Sequence, residues 1–256
     1  MYILYNILII LVFIFLALPY FLYRLVVEKG FGHRFRQNMG LVRREEIAPV
    51  ADTNCIWLHG ASVGEMVAIS PLVKEIKNLM PERKILVSAV TVGGYDMARQ
   101  IMPEADAIIN FPLDLPFVAS SMVSRIRPGI FIMVETELWP NFLRAIRERN
   151  IPAMMMNGRI SEKSAKSYRY LSGLLRDMLN TINLFCMQSS IDAKYITQLG
   201  QILKKSLLPA TRNLTRPTQR FPRKIWQPIK QNWGWGKMPI LSLWQVPPIV
   251  QKRKPC

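Results

Sequence analysis

Three short stretches of this chain set charged side chains where an α/β protein would present them to a ligand. The first is HGASVGE, His59 to Glu65, directly after the apolar residues CIWL. A glycine-rich turn lets backbone approach a substrate closely. The helix that follows offers free N–H groups to an anion. Glu65 falls at that helix N-terminus, where the dipole favours the ionised carboxylate. That is the form able to accept a proton from a hydroxyl as a general base. The other reading is a plain helix cap, with Gly64 serving only the turn and His59 a hydrogen-bonded strand-end residue. The second stretch is VETELWPN, with Glu135 and Glu137 on either side of Thr136. Period-2 spacing points both carboxylates the same way if the strand continues through them. There they would bind hydroxyls or set the pKa of a neighbouring carboxylate. The alternative is a solvated loop with Trp139 packed on the domain edge. In the third, NGRIS, Asn157 and Arg159 follow another apolar run. An arginine there suits phosphate or carboxylate recognition, or else a surface ion pair. TVGG, Thr91 to Gly94, lacks the spacing of a dinucleotide fingerprint.

The elements that must position these residues can be read from the hydrophobic pattern. CIWLH, KILVSAV, DAIINFP, GIFIMVE, IPAMMMN and NLFCMQS are apolar runs of strand length. Stretches with helical periodicity separate them. In MVAISPLVKEIKNLM, Val67, Leu72, Ile76 and Leu79 recur at intervals of three to five, as in a helix, and Pro71 inside it is a place for a kink. YDMARQIM, PFVASSMVSRIR, PNFLRAIRERN, SYRYLSGLLRDMLNTI and SIDAKYITQLG supply the other helices. Apolar strands alternating with amphipathic helices imply a parallel sheet covered on both faces. The expectation is one Rossmann-like α/β domain over 51–200, with ligands at the carboxyl ends of the strands.

Residues 1–23 carry no charge. A bilayer core of ~30 Å needs ~20 apolar residues in a helix, so this segment reads as a transmembrane anchor. The juxtamembrane segment, 24–50, is basic, with Arg24, Lys29, Arg34, Arg36, Arg43 and Arg44. By the positive-inside rule the bulk of the chain then faces the cytoplasm. The net charge is +17 and the pI about 10.2. A nucleic-acid partner is nevertheless not implied, because 12 of the 34 Lys and Arg, and none of the 17 Asp and Glu, lie in residues 201–256. The three cysteines, Cys55, Cys186 and Cys256, show no disulfide or zinc spacing.

In order and spacing, HGASVGE, SAVTVGGYDMA, NFPLDLP, RPGIFIMVETELWPN, NGRIS and QSSIDAKYITQLG resemble the N-terminal half of the 3-deoxy-D-manno-octulosonic acid (Kdo) transferases. The resemblance covers roughly Met1 to Gly200. It implies a two-domain GT-B glycosyltransferase on the cytoplasmic face of the inner membrane, acting in lipopolysaccharide assembly. Such an enzyme moves Kdo from CMP-Kdo to the 6′-hydroxyl of the lipid A precursor, with inversion. The N-terminal domain receives the acceptor, and the C-terminal domain binds most of CMP-Kdo. Glu65 is then the general base, assisted by Glu135 or Glu137. His59, Ser62, Gly64, Asn157 and Arg159 are the candidate acceptor or substrate contacts. No metal and no cofactor beyond the donor is expected.

After Gly200 the pattern changes: a second Rossmann-like domain does not follow, and residues 201–256 hold eight prolines and no acidic residue. Such a tail is expected to be disordered or draped on the membrane. Reading codons chosen for Leu208 to Lys224 one base earlier permits TGNTKFDQ followed by TYATVSPE. Trp244 to Pro255 likewise permits VAGSTHRAEEEA, and Gln201 to Lys204 permits ADPE. These resemble the family's TGNxKFD and GSTHxGEE segments, so a frameshift at or just after Gly200 is expected, and a chain with little transferase activity. Two other readings stand beside this one: a non-enzymatic membrane protein whose basic tail binds anionic lipid or nucleic acid, and a GT-B transferase for another sugar.

Overall fold

The computed structural model describes residues 1–28, 30–160, 172–200 and 207–209. Lys29, the start of the SYRYLSGLL helix, and most of the tail lie outside the described residues.

Each apolar run becomes a strand: β1 (Ile56–Gly60), β2 (Ile85–Ala89), β3 (Ala107–Asn110), β4 (Ile130–Val134), β5 (Ala153–Gly158) and β6 (Ile182–Met187). The helices between them are α4 (Val63–Leu79), α5 (Val92–Ile101), α6 (Pro116–Ile126), α7 (Pro140–Glu148), α8 (Ser172–Thr181) and α9 (Ser190–Gly200). Ahead of the sheet lie α1 (Tyr2–Val27), α2 (Phe31–Asn38) and the single turn α3 (Arg44–Ile47). α4 runs unbroken through Pro71.

All strand pairs are parallel, in the order β3-β2-β1-β4-β5-β6-β7. The last strand, β7 (Leu207–Pro209), lies beyond the Gly200 boundary read from the sequence. It pairs with Phe185, Cys186 and Met187 of β6. β6 would otherwise leave a row of backbone groups unpaired, and an edge strand is where a proline is tolerated.

Two cores flank the sheet, as period-2 alternation requires. Trp57, Phe131, Phe142, Met122 and Ile146 pack on one side. Ile56, Leu58, Met66, Ile69 and Val87 pack on the other. Gly60 is needed where β1 turns into α4. A Cβ there would meet Met66 Cε at 2.8 Å and Glu65 Cβ at 3.0 Å.

α1 is apolar for its whole length, with a mean hydropathy of 2.5 in its most apolar window. Residues Phe13–Ala17 form a π-helical turn. It precedes Pro19, whose ring and missing N–H disturb the regular ladder. The helix lies against the domain. Tyr2 and Tyr5 pack on the core near its start. Near its end, Phe21 meets Phe31 at 5.9 Å and Phe35 at 5.2 Å between ring centroids.

Candidate active site

The strand order turns back between β1 and β4, which grow outward from the centre of the sheet in opposite directions. Loops leaving the carboxyl ends of two such strands diverge and open a crevice. The segments that follow β1 and β4 are the ones carrying Glu65 and the Glu135–Glu137 pair. A cleft lined by Asn54, Arg127, Pro128 and Arg149 lies at the opposite, amino end of the strands.

Glu65 is the third residue of α4 and only 7% exposed. Its Oε2 accepts from the Ala61 N–H at 2.6 Å, and Oε1 accepts from the Ser62 hydroxyl at 2.7 Å. Ser62 is the N-cap residue, and its side chain accepts no backbone bond. The capping relation is therefore inverted, with the carboxylate reaching back to the turn. This is the cap reading, and it also orients the carboxylate. Each oxygen keeps a lone pair for a further donor. Beside it, a Cβ at Gly64 would have nothing within 4 Å, so the first turn of α4 is open on that side.

After β4 the chain leaves the strand at Glu135, which adopts φ 62°. The alternation that would have aligned Glu135 and Glu137 stops there, because a left-handed residue turns the backbone out of the pleat. Glu135 N still donates to Met156 O at 2.8 Å, and the Thr136 hydroxyl donates to Arg159 O. These bonds tie the loop to the end of β5. Glu137 Oε2 accepts from Trp139 Nε1 at 3.1 Å. Burial first, and the Glu65 charge second, raise the carboxyls of Glu135 and Glu137 above their ordinary value of 4.5. Arg159 opposes the shift at Glu135. The structure thus couples the three carboxylates electrostatically.

His59 is fully buried in β1 and stacks on Phe111 with centroids 3.8 Å apart. Burial pushes its pKa down to about 3, so the ring is neutral. Its Nε2 lies 4.0 Å from Glu137 Oε2, and this contact is no ion pair. Trp57 Nε1, a donor only, donates to Ser88 Oγ at 2.8 Å. Ser88 Oγ stands 3.0 Å from His59 Nδ1. The Ser88 carbonyl oxygen, an acceptor only, lies 3.3 Å from the same Nδ1, and Nε2 has no hydrogen-bond partner among the described residues. His59 thus sits buried near the end of β1, hydrogen-bonded to Ser88 and beside Glu137.

Asn157 adopts φ 53° in β5, next to a register shift against β6. Arg159 follows, exposed, and acts on Glu135 through its charge. Asp114 went unread in the sequence. Its carboxylate accepts from Asn141 N (3.0 Å) and Phe142 N (2.8 Å) and caps α7 from outside. The signal was present: Trp139, the N-cap of α7, has no acceptor to offer, so one had to come from elsewhere.

Neutralising Glu65 is expected to lower the titration midpoints of Glu135 and Glu137, because one cause of each shift disappears. Carboxyl NMR titration of Glu65→Gln measures this. A raised carboxyl favours the folded state while protonated, and this contribution fades as pH rises from 4.5 through the raised value. In Glu65→Gln the pH window of that loss narrows.

A parallel sheet of Rossmann order with carboxylates at its switch point is a Rossmann-like domain of the GT-B glycosyltransferase kind, here preceded by a long apolar helix. The chain belongs to the 3-deoxy-D-manno-octulosonic acid (Kdo) transferase family, whose members are glycosyltransferases: the family's sequence profile matches residues 33–212. A bifunctional glycosyltransferase/methyltransferase of Fusobacterium nucleatum is 36% identical over 163 residues, covering 63% of this chain and 25% of that protein. The Kdo transferase of Haemophilus influenzae is 34% identical over 145 residues, 57% of this chain and 34% of that one. That of Chlamydia pneumoniae is 26% identical over 197 residues, 77% and 44% of the two chains. The chain therefore spans less than half the length of these curated relatives.

Proposed function

We propose that this chain carries the acceptor-side half of a Kdo transferase held at the cytoplasmic face of the inner membrane. Glu65 is the general base, and the observation that carries this reading is its placement. It is a buried carboxylate at the switch-point crevice, oriented by Ala61 and Ser62 and open past Gly64. In the reaction, the hydroxyl oxygen of the lipid A precursor bonds to the anomeric carbon of Kdo. Its proton passes to Glu65, and the bond to CMP breaks with its electron pair leaving on the phosphate. The anomeric carbon inverts, so one base on the face away from CMP suffices. Glu135 or Glu137 assists by binding acceptor hydroxyls. No cofactor beyond the donor CMP-Kdo enters this scheme.

Codons chosen for residues 201–256 permit, one base earlier, segments that resemble the beginning of the donor half of such an enzyme. An acceptor half working apart from a donor half does not hold the two substrates together, and that effective molarity is lost. Transfer from CMP-Kdo to the lipid A precursor is the test, run on the 256-residue chain and on the protein read through the earlier frame. Negligible transfer by the first and ready transfer by the second is the expected pair. Ready transfer by the 256-residue chain overturns the frameshift reading. No transfer by either overturns the assignment of the substrates.

A further inference from the structure

A helix that crosses a bilayer carries its first residues to the far side, about 30 Å from a domain attached to its other end. α1 does not stand away from its domain in this manner. Near its start, Tyr5 Oη donates to Asp114 Oδ2 at 2.8 Å. The Arg144 guanidinium lies over the Tyr2 ring, 5.2 Å from its centroid. Sixteen residues later Phe21 packs on Phe31 and Phe35 of α2. α2 is itself fixed to the sheet, since Gln37 Oε1 accepts from the Asn110 N–H at 2.8 Å. Contacts sixteen residues apart on a helix are about 24 Å apart, so α1 lies along the domain surface. Its half-buried positions are 2, 5, 6, 9, 10, 13, 17, 18, 21 and 24, a single stripe.

The opposite face is apolar and bare. Ile3 is 78% exposed, Leu4 71%, Phe15 70% and Val26 88%, with Ile7, Leu8, Leu11 and Leu22 among them. Soluble surfaces rarely keep an apolar patch of this length in water. The segment that follows α1 in the chain carries the exposed Arg36, Arg43 and Arg44, suited to anionic head groups.

We propose that α1 lies in the plane of the membrane, clamped to the domain by Tyr2, Tyr5 and Phe21, and sinks only its outer face into a lipid bilayer with anionic head groups. This rests on the membrane-bound reading above and refines it, since both ends of α1 stay on the domain's side of the bilayer. Asp114 joins the two functions. One carboxylate holds Tyr5 of the lipid-facing helix and the N-terminus of α7, the helix after the Glu135–Glu137 loop. The lipid face and the carboxylate crevice are thus parts of one frame, which sets the height of the crevice above the lipid.

The test uses the full chain with an N-terminal epitope tag, in spheroplasts and in inverted inner-membrane vesicles. Added protease is expected to spare the tag in spheroplasts and to remove it in inverted vesicles. A chain carrying Tyr2→Cys and Arg144→Cys is expected to cross-link with a short bifunctional maleimide before solubilisation. Arg144 is at the surface, so its replacement leaves the core intact. Loss of the tag in spheroplasts, or absence of the cross-link, overturns the in-plane arrangement. Either result leaves membrane attachment and Kdo transfer standing. Failure of the untagged chain to float with anionic vesicles overturns membrane attachment itself and this arrangement with it.

Discussion

Glu65→Gln in the two-domain enzyme is expected to cut the turnover of Kdo transfer roughly 10²- to 10⁴-fold, the usual contribution of a positioned general base. The amide keeps the size and one acceptor oxygen of the carboxylate. The Ser62 hydroxyl can rotate to accept from the new NH₂ group. The turn after β1 should therefore persist, and the loss should appear in kcat more than in the KM for the acceptor. Ser62→Ala makes the contrast. It removes one orienting donor but leaves the base, so a smaller loss of rate is expected. Single-turnover rates at saturating acceptor separate the cases, because the proton acceptor is missing only in Glu65→Gln. A Glu65→Gln rate indistinguishable from wild type overturns the role.

Trp57→Ala is expected to destabilise the domain by about 3–5 kcal/mol, the range for deleting a large buried aromatic side chain. Trp57 is fully buried and meets Phe131 and Phe142 edge-on, at 5.8 and 5.1 Å between centroids. It also holds Ser88, which sets the His59 ring behind Glu137. A urea titration in detergent should show the lower midpoint. Under conditions where the variant remains folded, the Glu137 titration should move as well, since the His59 ring that helps bury it, 4.0 Å away, is no longer held in place. A midpoint unchanged from wild type would show that this corner of the core carries little of the stability.

The strands and helices were legible in the sequence because their signal is local. Buried parallel strands are apolar throughout, as in ILVSA and IFIMV, and the helices between them show a 3.6-residue period. The three segments at strand carboxyl ends were legible for the same reason, each a polar cluster where an apolar run stops. The length and apolarity of residues 1–23 were read by counting. What these residues alone determined, then, is a parallel α/β domain, its site-bearing segments and a lipid-seeking start.

The tertiary structure decided which segments meet. Periodicity carries no information on strand order. That β1 lies beside β4 follows from how the crossovers bury both faces of the sheet, and this brings Glu65 into electrostatic contact with Glu135 and Glu137. The left-handed turn at Glu135 ended an alternation that the sequence would have continued. Asp114 became the cap of α7 only because the fold set it there, 27 residues from Asn141. α1 met the domain for the same kind of reason. Its composition measures how much it avoids water, while its direction depends on a long-range contact, Tyr5 with Asp114, 109 residues apart. Contacts at such separations form when packing closes the chain, and short-range spacing does not record them.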